Sequence, residues 1–215
     1  SYLNLAQEAL DAIGISSANL LDNYSDIFSR TNKVNKEVVF ALRNDQQENL
    51  KGGYYNYFYH PGNLISSKYQ NAPVPISSTQ WWSYSQQFID ILEKSKNDNG
   101  DRRVDCNLGI GEYGASGQTI SWPNKFLGDM SKQPVVLDCD LLYYRYALAV
   151  MMDAELKYYK KDYAGALKSL NLIAKRAYGK DNFYTEANRD AVLSALVNEY
   201  FLEFPAEGVI WWCRM

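Results

Sequence analysis

The chain has 215 residues, 47% of them hydrophobic, and a formal net charge of −3 at neutral pH. This length suits one domain with its own core, and we predict a single domain over residues 1–215. The slightly acidic balance gives no indication of nucleic acid or an anionic membrane surface as a partner. The apolar run at 146–152 is far shorter than the roughly 18 residues of a membrane-spanning helix.

The first third of the chain predicts a helix, a turn and a strand. Leu3–Ile13 has helical spacing and ends at Gly14, and we expect its packing partner to lie in an upstream segment. The run NYSDIF at 23–28 predicts a turn that leads into a short apolar contact. Glu37–Leu42 is rich in β-branched residues and predicts a strand. Because the chain starts at Ser1 without Met, we expect that an N-terminal segment has been removed.

The segment from Asp45 to Gln80 is predicted to be irregular. It contains several turn-forming pairs and prolines, among them Gly52-Gly53 and Pro61-Gly62. A loop of this length inside a compact domain is usually functional or disordered. Its five aromatic residues between positions 54 and 59 argue against disorder. We therefore expect this loop to serve a function.

The middle of the chain predicts one helix followed by a loop. Thr79–Ser95 has helical spacing, with Thr79 as its N-cap and an apolar face of Phe88, Ile91 and Leu92. The sequence at Gly100 closes this helix. Asn107–Ser121 is rich in glycine and predicts a loop.

Residues 138–180 predict two antiparallel helices, around which the chain is organised. Asp138 and Asp140 are predicted to cap the first helix. Its apolar face recurs at 3-4-3 spacing, at Leu141, Tyr144, Leu148 and Met151. The second helix carries an apolar face of Ala166, Leu170, Ile173 and Ala177. Lys175 and Arg176 suit its last turn, and Gly179 suits the position just past its end.

This helix pair has features of a tetratricopeptide repeat. Ala154 and Ala166 stand twelve residues apart and flank Asp162-Tyr163, as small residues do where the two helices of that repeat cross. An ordinary helical hairpin remains an alternative.

A last helix is predicted from Asn188 to Phe204 and should end at Pro205, with an apolar side of Leu193, Leu196, Val197, Tyr200 and Phe204. The fold class is therefore mainly α: tetratricopeptide-like hairpins in an α-α superhelix, with long irregular loops and little β-structure.

No motif indicates a catalytic centre, a metal site or a cofactor. The glycine-rich stretch 109–117 lacks the Gly-Lys-Ser/Thr of a phosphate loop. The carboxylate pairs Asp138/Asp140 and Glu203/Glu207 are interpreted as a helix cap and a solvated helix end, not as a glycosidase pair. A lone His60 and three scattered cysteines provide no set of metal ligands.

The aromatic cluster is the candidate ligand-binding surface. Tyr and Trp combine a flat apolar face with a polar edge, which suits stacking on a sugar ring. In the alternative, these rings fill the space between loop and helices. Since Trp81 and Trp82 are adjacent at a predicted helix start, we expect at most one to join the core. The candidate residues are Trp81, Trp82, Tyr54, Tyr55, Tyr57 and Tyr59, with Asn56 and Gln80 as polar contacts.

Several segments, in order, resemble the SusD/RagB family of nutrient-binding lipoproteins. They are Asn23–Asp26 followed by Lys36–Phe40, Asp101–Arg103, Lys125-Phe126, Tyr144–Ala147 with Ala154-Glu155, Ala166 with Leu170-Asn171 and Arg176-Ala177, and Glu199, Glu203, Glu207-Gly208 and Trp211. Tyr200 and Ile210 stand where the family's closing motif has arginines, and Cys213 stands where it has Asp. These departures put the terminal packing and ion pairs in question.

The resemblance implies a function that composition does not show. Such proteins capture glycans or other nutrients at the surface of the outer membrane and pass them to a SusC-like TonB-dependent transporter, without a catalytic centre. The family also has an upstream helical half and an N-terminal lipid anchor, so we interpret this chain as a C-terminal portion. Two rival hypotheses are a helical-repeat scaffold that binds a protein and no sugar, and an α-helical glycoside hydrolase.

Overall fold

A computed structural model describes residues 2–45, 66–67, 82–113, 118–129, 131–132, 136 and 138–209. The chain divides into two compact units. One, here called the helical unit, comprises Ser1–Tyr24, Asn35–Phe40 and Tyr143–Met215. The other, the hairpin unit, comprises Ser25–Val34 and Ala41–Leu142. None of the helices in the described ranges is long and apolar enough to cross a membrane.

Four helices build the helical unit: α1 (Tyr2–Ile13), α4 (Tyr146–Tyr159), α5 (Tyr163–Tyr178) and α6 (Arg189–Glu203). Both ends of α5 are capped, and the end at Gly179 is as predicted. The Asp162 side chain accepts a hydrogen bond from the Gly165 N–H at 2.8 Å, and Gly179 ends the helix with a φ of 68°. This left-handed conformation favours glycine. Asn188 caps α6 by accepting from the Ala191 N–H at 2.9 Å.

The predicted helical fold and the hairpin of α4 and α5 are confirmed. Helices α4, α5 and α6 enclose one hydrophobic core, which contains Ala166, Leu170 and Ile173 of the predicted α5 face. The fourth residue of that face, Ala177, is also buried, in a smaller cluster with Ala174 and Tyr178. Ala154 of α4 is fully buried in the same core as Ala166. Both small residues therefore lie at the packed interior, as repeat-like helix packing requires.

The start predicted for the first central helix is wrong. Residues Leu141–Arg145 form strand β5, which pairs with β1 (Val38–Leu42) in a two-stranded sheet, and α4 begins only at Tyr146. Asp138 and Asp140 do not cap a helix. Asp138 Oδ2 lies 2.6 Å from Arg30 Nη2, and Asp140 Oδ1 accepts from the Asn44 N–H at 2.9 Å. Strand pairing thus overrides the helical spacing.

The inward face of α6 differs from the predicted one. Leu193 and Val197 are exposed, although Leu196, Tyr200 and Phe204 are buried as expected. Glu199 and Glu203 lie fully buried in their place. The reason is that these carboxylates have partners inside the protein, which a hydrophobic pattern does not reveal.

The glycine-rich segment predicted as a loop is a β-hairpin. In the hairpin unit, β3 (Gly109–Tyr113) pairs antiparallel with β4 (Gln118–Trp122), and β2 (Ser66–Ser67) pairs with the other edge of β3. Gly109 stands opposite Trp122, and a Cβ on it would lie 2.0 Å from the indole Nε1. Glycine is needed because the buried Trp122 ring occupies that space.

The helix predicted at Thr79–Ser95 is shifted along the chain. Helix α2 spans Gln86–Asn99, and Ser85 is its N-cap. Residues 82–85 are not helical. Its buried apolar residues are Ile89 and Leu92, whereas Ile91 is exposed. The predicted end is confirmed, since Gly100 closes α2 with a φ of 70°, and the short α3 (Val104–Asn107) follows.

Candidate functional site

Of the eight predicted ligand-binding residues, Trp82 lies within the described part of the chain. Its side chain is 60% exposed. The other seven lie outside the described residues: Tyr54, Tyr55, Asn56, Tyr57, Tyr59, Gln80 and Trp81. The predicted convergence of these rings on one surface therefore stays a prediction. From the sequence we also expect Trp211 and Trp212 to be partly buried against the last helix, and these two residues lie outside the described part of the chain.

The hydrogen bonds of Tyr84 hold the backbone close to Trp82 in place. The Tyr84 N–H donates to Ser121 Oγ at 2.9 Å, and the Tyr84 hydroxyl donates to the Asn107 carbonyl at 3.1 Å. The Tyr84 ring also packs against Phe88, with ring centroids 5.1 Å apart. Trp82 is thus an exposed ring on an anchored, non-helical segment, so the helix-based reason for expecting one inward and one outward Trp does not apply.

A second group of exposed rings was missed by the sequence reasoning. Phe40 of β1 lies with its ring centroid 5.7 Å from that of Tyr143 and 6.4 Å from that of Tyr144, both on β5. The helical spacing predicts Tyr144 on a buried helix face, but its side chain is 55% exposed. The β-propensity of the aromatic pair at 143–144 was the signal available in the sequence.

Three glutamates and two arginines form what we call the buried ion-pair cluster: Glu37, Arg145, Arg176, Glu203 and Glu207. Arg145 occupies its centre. Its Nη1 lies 3.1 Å from Glu37 Oε1 and 2.7 Å from Glu203 Oε1, and its Nε lies 2.6 Å from Glu207 Oε2. Arg176 Nη1 lies 2.7 Å from Glu37 Oε2, and its Nη2 bonds to Glu203 Oε1.

Aromatic rings complete the surroundings of this cluster. The Arg145 guanidinium carbon lies 4.2 Å from the centroid of Phe204, and the Tyr24 ring faces both arginines at 5.8 and 5.4 Å. Burial acts to lower the pKa of Arg145, yet the carboxylates of Glu207 and Glu203 raise it well above its ordinary value. Arg145 is therefore a permanent buried cation that binds its carboxylate partners tightly.

The cluster corrects the interpretation of Glu203 and Glu207 as a solvated helix end. Both side chains are buried and accept hydrogen bonds from Arg145. Four of the segments that carried the family resemblance supply its members: Glu37 just before β1, Arg145 at the end of β5, Arg176 in the last turn of α5, and Glu203 and Glu207 at and after the end of α6. These segments are separated by up to 170 positions, so their proximity could not be predicted from the sequence.

A smaller buried polar group fixes the chain between α5 and α6. Glu199 Oε1 accepts hydrogen bonds from the hydroxyls of Tyr178 at 2.9 Å and Tyr184 at 2.6 Å. Burial, together with this carboxylate, raises the pKa of Tyr184. The Asn171 side chain bonds both the N–H and the carbonyl of Tyr184. These contacts explain the buried Glu199 as a packing residue.

Among the described residues, no group of His, Cys, Asp or Glu could hold a metal ion.

The helical hairpins and few short strands define a tetratricopeptide-like helical protein. Residues 109–212 match the model of the SusD family, and the resemblance to the SusD/RagB family predicted from the sequence is confirmed. A search of curated proteins found no match.

Solved structures share this fold. A SusD superfamily protein from Bacteroides fragilis matches with a TM-score of 0.77 and 23% identity, covering 98% of this chain and 46% of that one. One from Parabacteroides distasonis matches with a TM-score of 0.73 and 16% identity, covering 99% and 46%. Surface glycan-binding protein A from Bacteroides thetaiotaomicron, in complex with laminarihexaose, matches with 0.62 and 19%, covering 98% and 49%. The chain thus spans about half the length of these proteins.

Proposed function

We propose that this chain is part of a non-catalytic protein that binds oligosaccharides at the cell surface. The observation that carries the proposal is the match of residues 109–212 to the SusD family. A structural relative solved with laminarihexaose supports a glycan as the ligand class. The exposed, anchored Trp82 supports it too, since a ring on a preformed surface can stack on a sugar.

The proposal extends to the location and partner of the intact protein. We place it at the outer surface of the outer membrane, held by a lipid anchor upstream of this chain, where it delivers its ligand to a SusC-like TonB-dependent transporter. Affinity purification of the intact protein from detergent-solubilised outer membranes should then recover such a transporter. Purifications that repeatedly lack one would contradict the partnership.

Binding is tested by calorimetric titration of the chain with neutral hexasaccharides, laminarihexaose first. Trp81→Ala, Trp82→Ala and Tyr57→Ala should each weaken binding of the sugar that the parent binds. Tyr2→Ala is the control, because Tyr2 is an exposed ring outside the predicted loop. A parent that binds a sugar, with all three variants binding equally well, would place the site elsewhere. Cleavage products in the same mixtures would instead indicate a glycoside hydrolase.

A protein-binding scaffold is the second candidate, and one observation favours it. Helices α1 and α4 enclose an apolar groove of about 380 Å³. Its walls include Ala6, Ala9 and Ile13 of α1 with Met152 and Tyr159 of α4. An exposed apolar groove can accept a helix. If no sugar binds, a variant with Ala9→Glu that loses a captured protein partner would support this alternative over glycan binding.

A further inference from the structure

The β1–β5 ribbon presents three exposed rings that belong to the helical unit. The side chains of Phe40, Tyr143 and Tyr144 are 50%, 47% and 55% exposed. The Phe40 ring is tilted by 50° to that of Tyr143 and by 35° to that of Tyr144. Because Phe40 contacts both tyrosines, the three rings form one continuous surface, which we call the aromatic platform.

The buried ion-pair cluster holds the backbone of the strands that carry the aromatic platform. Glu37 immediately precedes β1, Arg145 ends β5, and both are members of the buried ion-pair cluster, 3.1 Å apart at Glu37 Oε1 and Arg145 Nη1. The Tyr146 N–H also donates to the Glu37 carbonyl at 2.7 Å. The backbone next to the rings is therefore fixed before any ligand arrives. Preorganisation of this kind lowers the entropy cost of binding.

The chemistry of the platform matches a neutral sugar. Aromatic rings offer flat apolar faces to the C–H face of a pyranose, and tyrosine adds a polar edge. The hydroxyls of Tyr143 and Tyr144 have no hydrogen-bond partner among the described residues, so they can bond to sugar hydroxyls. Residues 38–40 and 143–144 carry no charge, so nothing on the platform complements an anionic ligand.

We propose that Phe40, Tyr143 and Tyr144 form a carbohydrate-contact site for a neutral pyranose, distinct from the predicted loop residues. The proposal rests on the proposed function of glycan binding and names a further site for it. Phe40 is the central ring, and the two tyrosines supply stacking area and hydrogen-bonding hydroxyls. A protein surface that covers this face is the competing occupant.

The test is a titration of the chain with laminarihexaose, maltohexaose, cellohexaose and xylohexaose. For the sugar that binds, Phe40→Ala, Tyr143→Ala and Tyr144→Ala should each raise Kd about two- to tenfold, the range expected for losing one aromatic contact. Tyr144→Phe should retain most of the affinity that Tyr144→Ala loses. Tyr2→Ala should bind like the parent, and melting curves check that each variant is folded.

A direct readout distinguishes contact from indirect effects. The chain is labelled with 3-fluorotyrosine, and the Tyr143 and Tyr144 signals are assigned by Tyr143→Phe and Tyr144→Phe. Saturating sugar should shift these two ¹⁹F signals and leave that of Tyr2 unchanged. Binding that persists in all three alanine variants, with both signals unmoved, would overturn the platform while the proposed function stands.

The remaining outcomes are equally decisive. A parent that binds none of the four sugars would overturn the proposed function and the platform together. If the alanine variants change the self-association of the chain in light scattering and leave sugar binding intact, the face is a protein interface. That result would also overturn the proposal.

Discussion

Lys175 and Arg176 are neighbours in the last turn of α5, yet they stand in opposite environments. Both suit the negative end of a helix dipole, as the sequence predicts. Lys175 is exposed and pairs with Asp181 at 2.8 Å, and the hydrogen bond that it donates to this carboxylate raises the pKa of Lys175. Arg176 is buried between Glu37 and Glu203. The same local preference therefore has different energetic consequences.

Replacing the buried Arg176 should lower the stability of the folded protein. Arg176→Met leaves Glu37 and Glu203 short of a cation in the interior, and we expect about 3–5 kcal/mol lower stability to urea. Lys175→Met is the matched control one residue away and should leave the unfolding midpoint almost unchanged, since water screens its ion pair. Similar midpoints for the two variants would show that the buried cluster does not stabilise the fold.

Cys139 gives the hairpin unit a predictable response to alkaline pH. Burial raises the pKa of its thiol from 9.0 to about 11, partly opposed by a hydrogen bond from the Gly128 N–H at 3.3 Å. Between these values the unfolded chain loses the proton while the native protein keeps it. Stability should therefore fall as the pH rises from about 9 to about 11.

The measurement is a set of urea unfolding curves at pH 8, 9, 10 and 11. We expect Cys139→Ser to lose about 2 kcal/mol of the parent's pH-dependent decrease, as two pKa units imply. Cys106→Ser should retain the full decrease, because Cys106 is only partly buried. A Cys139→Ser variant with the parent's slope would show that other groups cause it.

At the scale of elements, local spacing predicted which segments are helical, but it misplaced the residues at which α2 and α4 begin. Helix α5 and its end at Gly179 followed from sequence, because the bonds that end a helix are made within one turn. Strand β5 did not, because its hydrogen bonds come from β1, about 100 positions earlier. The β3–β4 hairpin was missed because glycine serves there to admit the Trp122 ring, not to form a loop.

The crossing of α4 and α5 makes a packing prediction. Ala154 and Ala166 are fully buried in one core cluster, so a larger residue at either must displace its neighbours. Ala154→Leu and Ala166→Leu should each lower stability by about 1–3 kcal/mol in thermal or urea unfolding. Ala164→Leu, two residues from Ala166 and exposed, is the control. Equal stability for all three variants would contradict repeat-like packing.

At the scale of the whole molecule, Glu207 brings a residue from near the end of the chain into the buried ion-pair cluster. Glu207 bonds Arg145 with both carboxylate oxygens, at 2.6 and 3.1 Å. The departure from the family's closing motif at Tyr200 leaves this pairing intact, whereas Ile210 and Cys213 lie outside the described residues. Tyr200, which stands where the family has an arginine, places its hydroxyl 3.1 Å from Glu155 Oε2. The described ion pairs therefore form without that arginine.

Two truncations separate the role of Glu207 from that of the residues after it. Deletion of 208–215 should lower stability modestly, since it removes Trp211 and Trp212, which we expect to pack against the last helix. Deletion of 206–215 should lower it by several kcal/mol more, because Arg145 then lacks one of its buried carboxylates. Melting temperatures of both truncations and the parent provide the comparison. Two truncations that melt alike would exclude a role for Glu207.

The sequence by itself determined the helical hairpin, the C-terminal ends of α2, α5 and α6, and the family resemblance. Each depends on contacts within a few residues or on motifs that keep their order along the chain. Only the tertiary structure brought Glu37, Arg145, Arg176, Glu203 and Glu207 into one cluster and exposed the ring of Tyr144 beside Phe40. Burial and ion pairing are decided by residues far apart in sequence, and no local period encodes them.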